Sequence, residues 1–387
     1  MRLYSQKDKG RGEGNLLLPG LPDSLALEKR LSKHLVIFLT CFLLWAAVSI
    51  AGCTDSEEQS RVVSVPRPSA QFNFNTVTNA PASTIPASPD ITPQPVSVDA
   101  TLKSIISAYD VNYQMAQITE LASDKYQGRR TGSAGARAAA SYISSQFISL
   151  GLIPWSAISP GSYQQHFTAA GLESDNVIGV IPGTDPGGSY VILAGHYDHL
   201  GLDGNGQAFN GADDNAAGVA AILETARIIK QLGLTPGKTI VFCAFSGEEQ
   251  GEYGARALGA AITSAGLAEK VEMINIDGIG ATGGSYFGVW DEGAAAAAPL
   301  VRTMQLAGQY LQTPVREEGT DIGSDAQPFN WQYGIPAVTV DWDWGSDPST
   351  YHPYYHTIYD DADQIDSEAL ARATRVSIAG LWLRASQ

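Results

Sequence analysis

The sequence predicts an α/β fold, a mostly parallel mixed sheet sandwiched between helices, in a single domain over residues 99–387. Two observations carry that expectation. Beyond residue 99, short apolar, β-branched runs alternate with helical patterns. Such alternation means a sheet covered by helices on both faces. Finally, polar residues with chemical potential follow directly after several of the runs, where open α/β sheets bind ligands.

The elements read in order as follows. Residues 138–150 (AAASYISSQFISL) form an amphipathic helix closed by Gly151, a residue that readily terminates helices. Strands are expected at 176–181 (NVIGVI), 190–194 (YVILA), 239–245 (TIVFCAF), 271–276 (VEMINI), 286–290 and 337–340. Helical patterns lie between or after them at about 215–232, 254–265, 299–311 and 367–383. No internal repeat stands out.

The segment ahead of this domain differs in character. Residues 34–53 (HLVIFLTCFLLWAAVSIAGC) are uncharged and mostly apolar, and Lys29, Arg30 and Lys33 precede them. This is the pattern of a secretory signal. Its end, Ile50-Ala51-Gly52-Cys53, resembles the lipobox of bacterial lipoproteins, which implies a lipid anchor at Cys53 and an exported protein facing outside the cytoplasm. A permanent membrane-spanning helix is the alternative for a run of this length. Residues 1–27 are long for a signal n-region, which fits a translation start within them, at Leu25 or Leu27. Residues 54–98 carry seven prolines among Ser, Thr and Ala; such a stretch buries too little surface to offset its chain entropy and reads as a disordered tether.

Charge narrows the partners. The chain of 387 residues carries −16 overall, and with seven basic and four acidic residues in 1–53 the remainder carries −19. That balance argues against nucleic acid and against basic-patch docking on anionic lipid. The three cysteines, Cys41, Cys53 and Cys243, sit in or beside apolar segments and make no disulfide framework.

Candidate chemistry lies at the strand ends. Gly195-His196-Tyr197-Asp198-His199 follows one strand, Ser246-Gly247-Glu248-Glu249 another, and Asp277 a third. Gly211-Ala212-Asp213-Asp214-Asn215 opens a helix, and Tyr354-Tyr355-His356-Thr357 stands near the end. Histidines and carboxylates without a suitable cysteine make a zinc-type site. Each piece also has an ordinary explanation: Asp213-Asp214 as a helix cap, Glu248-Glu249 as first-turn glutamates, a lone His as a loop residue. Those explanations would have to hold four separate times on one sheet.

The stretches GHYDHLG, GADDNAAGVA, FSGEEQGEYGAR, NIDGIG and YHT, with QGRRTGSAG upstream, resemble those of zinc peptidase family 28. That group contains bacterial leucyl aminopeptidases, aminopeptidase Y and glutamate carboxypeptidase. The similarity covers about residues 113–387 and implies the zinc-exopeptidase fold, peptide substrates and two zinc ions. Carried over by position, His196 and Asp277 hold one zinc, Glu249 and His356 the other, and Asp213 bridges both. Asp214 then follows a cis peptide bond, Asp198 orients the His196 ring and fixes its tautomer, Glu248 is the general base, and Tyr355 donates to the oxyanion.

Other residues of these stretches are set aside. His199 reads as a neighbour of the ligands or a rim residue, because the ligand count is already complete. His166 and His352 read as exposed loop or strand residues. Asp341-Trp342-Asp343-Trp344 fits a wall of the substrate pocket or a surface loop equally well. Asp325 lies in GSDAQPF, where Ala326 replaces the histidine of many relatives. The expected activity is an aminopeptidase. Two alternatives remain, a one-zinc glutaminyl cyclase-like transferase and a catalytically silent binding domain; the complete ligand set favours the first reading.

Overall fold

The computed structural model describes residues 100–280, 286–320, 323–342 and 352–387. The expected leader and Cys53, the 54–98 tether, and Asp343 and Trp344 lie outside the described residues. Ten strands are seen there: β1 (Gln164–Ala169), β2 (Leu172–Ile181), β3 (Tyr190–His196), β4 (Gly201–Leu202), β5 (Ala208–Phe209), β6 (Thr239–Phe245), β7 (Val271–Ile276), β8 (Phe287–Trp290), β9 (Val315–Glu317) and β10 (Ala337–Trp342). The helices are α1 (Ala100–Ser107), α2 (Val111–Leu121), α3 (Ala134–Ser149), α4 (Ala217–Gln231), α5 (Tyr253–Ser264), α6 (Ala298–Leu311), α7 (Ala326–Tyr333) and α8 (Ser367–Ala385).

Eight strands make one sheet in the order β1-β2-β6-β3-β7-β10-β8-β9, and β4 and β5 form a small pair. The central strands β6, β3, β7 and β10 are mutually parallel. On one side β2 runs antiparallel to β6 and β1 to β2; on the other β8 is antiparallel to β10. The expected fold class is therefore the observed one. Because the four central strands point the same way, their carboxyl ends share one rim. Register keeps those ends level: His196 pairs with Phe245, Ala194 with Asn275, and Val340 with Ile276.

The central strands read as unbroken apolar runs because both of their faces are covered. On β6, Ile240, Phe242 and Ala244 enter one buried cluster while Val241, Cys243 and Phe245 enter the other. On β3, Val191 and Leu193 face the first and Ile192 and Ala194 the second. The first cluster is closed by Phe147 of α3, Val219 and Ile222 of α4, Met304 of α6 and Trp382 of α8. Leu258 and Ile262 of α5 and Phe329 of α7 close the second. Truncating Phe242 to Ala would remove a wholly buried ring and cost about 3–5 kcal/mol. Close approach of α3 to β2 requires a glycine: a Cβ on Gly179 would lie 2.9 Å from Phe147 Cδ2 and 2.8 Å from Leu152 Cδ2.

Some elements depart from expectation. Helix α3 starts at Ala134, ahead of residue 138, because the Ser133 side chain accepts from the Ala136 N–H and caps the first turn. Strand β2 begins at Leu172 and extends into a hairpin with β1, whose sequence QQHFTA is mostly polar. Helix α2 escapes the apolar periodicity because Gln114 and Gln117 are buried in it, Gln114 donating to Thr374 Oγ1 at 2.9 Å.

Candidate metal centre

The centre is built on the rim where β3, β6 and β7 end. His196 closes β3 and is buried, as its strand position dictates. Its Nδ1–H donates to the Asp198 carbonyl at 3.1 Å, leaving Nε2 to face the rim. Around Nε2 stand Asp214 Oδ1 at 3.2 Å and Asp277 Oδ1 at 3.3 Å. Asp277 is the first residue after β7, and its other oxygen accepts from Ser324 Oγ at 2.7 Å, which in turn accepts from Asn275 Nδ2 at 2.9 Å.

A second group shares Asp214. His356 Nε2 lies 3.2 Å from Asp214 Oδ2 and 3.2 Å from Glu249 Oε2, while His199 Nδ1 lies 2.6 Å from Glu249 Oε1. Donors about 2.0–2.1 Å from a tetrahedral zinc stand about 3.3 Å from one another, and the contacts of His196 and of His356 have that spacing. The residues present therefore fit zinc. Burial opposes charge on the imidazoles, yet Asp277 and Glu248 raise His196 well above the ordinary histidine range. Burial likewise works against His356, which Asp214 and Glu249 push up to about 10. Burial would raise Asp214, but His196, His199 and His356 hold it well below the usual carboxylate range. A bound cation would take the place of the Nε2 protons of His196 and His356.

The shared carboxylate is Asp214, which corrects the expectation for Asp213 by one residue. Asp213 turns the other way: Oδ1 accepts from the Gly280 N–H at 2.6 Å and Oδ2 from His352 Nδ1 at 2.7 Å. The cis peptide likewise joins Asp214 to Asn215 and does not precede Asp214. What sets this path is Asp360, whose carboxylate accepts the backbone N–H groups of both Asp213 and Asp214, at 2.9 and 3.1 Å. Asn215 then anchors the start of α4, donating to the Ile276 carbonyl and accepting from the Gly218 N–H.

His352, expected on the surface, is also a correction. It is buried between Asp213 and the Trp342 carbonyl, to which Nε2 donates at 3.1 Å. His166 is an exposed strand residue beside Asp175. Asp341 and Trp342 are neither pocket wall nor surface loop, because β10 carries both into the interior. Asp341 accepts there from Trp290 Nε1, and the Trp342 ring meets Phe287 edge-on.

Glu248 belongs to neither group of metal donors. Its Oε2 stands 4.0 Å from His196 Nε2, and its N–H donates to Asp198 Oδ1 at 3.2 Å. Burial, reinforced by the carboxylates of Asp277, Asp325 and Asp214 against the pull of His196, raises it well above the usual range. The Asp198 carboxylate also accepts from Thr131 Oγ1 at 2.7 Å; it is 3.9 Å from His196, so its carbonyl takes the role expected of its side chain. The Tyr355 ring stacks on His356 with centroids 3.8 Å apart.

Sequence reasoning missed Arg129, although it lies in the quoted QGRRTGSAG. It is buried and donates to four carbonyls: Tyr197 at 2.6 Å, Leu121 at 2.6 Å, Asn210 at 2.6 Å and Gly211 at 2.9 Å. One cation thus ties the segment after β3 to the loop that leads to Asp214, beneath a surplus of carboxylates. Burial lowers it to about 10, with Asp360, Asp214, Asp198 and Glu249 working against the loss.

Residues 176–381 match Peptidase family M28. The chain belongs to that family. Among curated relatives, Leupeptin-inactivating enzyme 1 of Streptomyces exfoliatus is 28% identical over 287 residues, covering 70% of this chain and 61% of that protein. The chain thus spans about three fifths of that relative. The structure is similar to the zinc aminopeptidase BSAP of Bacillus subtilis, with TM-score 0.59, 17% identity and 72% and 96% of the two chains covered. It is equally similar to Porphyromonas gingivalis glutaminyl cyclase, with TM-score 0.60, 20% identity and 72% and 99% covered. At such identities the likeness shows the family's fold in this chain.

Proposed function

We propose that this M28 member is a two-zinc aminopeptidase with Glu248 as its general base. The observation that carries the reading is the sharing of Asp214, one oxygen facing His196 and the other facing His356. His196, Asp277 and Asp214 would hold one ion, and Glu249, His356 and Asp214 the second. Bound zinc would supply Lewis-acid polarisation of the scissile carbonyl and activate water. Glu248, whose Oε2 stands 4.0 Å from His196 Nε2, would take a proton on Oε2 and pass it to the leaving amine. The Tyr355 hydroxyl, carried beside His356, is the donor proposed for the developing oxyanion.

Elemental analysis with Glu248→Gln and Glu249→Gln tests the assignment. Wild type and Glu248→Gln should both hold two zinc ions, with kcat in the variant lower by about 10²–10⁴-fold. Glu249→Gln should also lose metal. Metal loss confined to Glu248→Gln would reverse the two roles, and one zinc in wild type would favour the cyclase-like alternative.

Export and lipidation at Cys53 are further proposals, resting on Ile50-Ala51-Gly52-Cys53 and the Pro-rich stretch after it. In a bacterial host, wild type should incorporate labelled fatty acid and fractionate with membranes. Cys53→Ser should do neither; equal label in both would rule the site out.

A further inference from the structure

His199 is the spare histidine of GHYDH, and the structure places it under the second metal group. It is wholly buried. The backbone cradles the ring: a Cβ on Gly211 would lie 2.6 Å from its Cδ2. Nδ1 stands 2.6 Å from Glu249 Oε1 and 3.8 Å from Asp214 Oδ2, and the ring meets His356 edge-on with centroids 5.7 Å apart.

These distances separate two roles. Two donors to the same tetrahedral ion stand about 3.3 Å apart, as His356 Nε2 and Glu249 Oε2 nearly do at 3.2 Å. The 2.6 Å contact is too short for that and has the length of a charge-assisted hydrogen bond. Ligation through Nδ1 would also shift the ring proton to Nε2, which is buried and has no hydrogen-bond partner among the described residues. An unpaired buried donor is rarer than an unpaired acceptor.

We propose that His199 is a positioning residue: it donates from Nδ1 to Glu249 Oε1 and thereby presents Oε2 alone to the metal shared with His356. This rests on the two-metal reading. A free glutamate could turn either oxygen, or both, towards an ion; pinning one fixes the rotamer and removes a competing arrangement. Outer-shell donors of this kind change metal affinity by about 10–100-fold.

The test is zinc titration of the full chain against a chromophoric chelator, with His199→Phe and His199→Asn, alongside the absorption spectrum of the cobalt-loaded protein. The binding step of interest is the one that His356→Ala removes. His199→Phe should weaken that step by about 10–100-fold and leave the other unchanged. His199→Asn, whose amide can stand in for the Nδ1–H, should recover most of the affinity and guards against a misfolded Phe variant. The imidazole content of the cobalt spectrum should be the same in all three. Unchanged affinity in His199→Phe would overturn the proposal, and so would loss of one imidazole, which would make His199 a ligand. One metal in wild type would overturn the two-metal reading by itself; the positioning role then stands only if His199→Phe weakens that single ion.

Discussion

The main-chain carbonyl of Asp198, two residues after His196, accepts the hydrogen bond of the His196 Nδ1–H, while the Asp198 side chain accepts from Thr131 Oγ1 and the Glu248 N–H. Tautomer and base position are therefore set by different atoms of one residue. The His196 tautomer depends on where the backbone goes after β3. The backbone of Glu248 depends on the carboxylate.

The first prediction separates those two tasks. Asp198→Asn keeps the carbonyl, so zinc affinity at the His196 group should stay within about threefold of wild type, well short of an outer-shell loss of about 10–100-fold. It weakens the acceptor for the Glu248 N–H, so kcat should fall by about tenfold or more. Titration of metal against kcat on one set of samples checks both. A large loss of zinc with kcat per bound metal unchanged would return the tautomer role to the side chain.

The second prediction concerns the adjacent aspartates. Asp214→Ala should disrupt both metal groups, because its two oxygens face different histidines. Asp213→Ala should retain two ions. It removes the acceptor for the Gly280 N–H and His352, so unfolding free energy should fall by about 1–3 kcal/mol. Zinc content and denaturant unfolding of the two variants decide the matter.

That pair also shows where the sequence stops being informative. The spacing of GADDN places a carboxylate at the start of α4, and the strand ends place His196, Asp277 and Glu249 on one rim. Choosing between two neighbouring aspartates needs the backbone path. That path is held by Asp360, a residue 146 positions away from Asp214, which no local pattern exposes. His352 is hidden for the same reason, since its burial comes from Asp213 and Trp342 and not from its own apolar neighbours. Arg129 sits within QGRRTGSAG, but an arginine looks like a surface residue until its four carbonyl acceptors are assembled. The central strands were legible because both faces are apolar; β1, α2 and β9 were not, being polar, mixed or very short.

A third prediction concerns Asp325, which opens α7 with neither carboxylate oxygen hydrogen-bonded among the described residues. Burial raises its carboxyl well above the ordinary range, His196 opposes the shift, and Asp198 and Asp277 add to it. The folded chain then keeps a proton that the unfolded chain gives up. Its contribution is full below the ordinary carboxyl range and is lost as pH rises from there to the folded value, by about 1.4 kcal/mol per pH unit within that window. Asp325→Asn cannot lose that proton, so it should flatten this part of the profile and gain on wild type as pH rises. Urea unfolding of metal-free protein at pH 5 and pH 7 measures it; equal slopes in both proteins would show Asp325 ionised at pH 5 already.

The last prediction is polarity of attack, at free N-termini. A carboxypeptidase holds a terminal carboxylate, normally with Arg or Lys close to the metals. Among the described residues, every ion pair made by Asp213, Asp214, Glu248, Glu249 and Asp277 is to a histidine. Three basic residues are committed elsewhere. Arg256 pairs with Glu252 at 2.5 Å and bonds the Gly251 carbonyl, Arg316 covers the Tyr286 ring, and all of the Arg129 bonds described above go to main-chain carbonyls. Tyr354 and Tyr355 are half-exposed, and the Tyr355 ring stacks on His356. Such a rim suits an incoming ammonium group, and the −19 charge beyond residue 53 draws positively charged substrate. The assay compares an N-terminally free peptide amide with its N-acetylated twin. Acetylation should abolish cleavage, and amidating the C-terminus should change the rate less than about threefold, since no buried charge pair is lost there. Release of C-terminal residues from an N-acetylated, C-terminally free peptide would reverse the polarity.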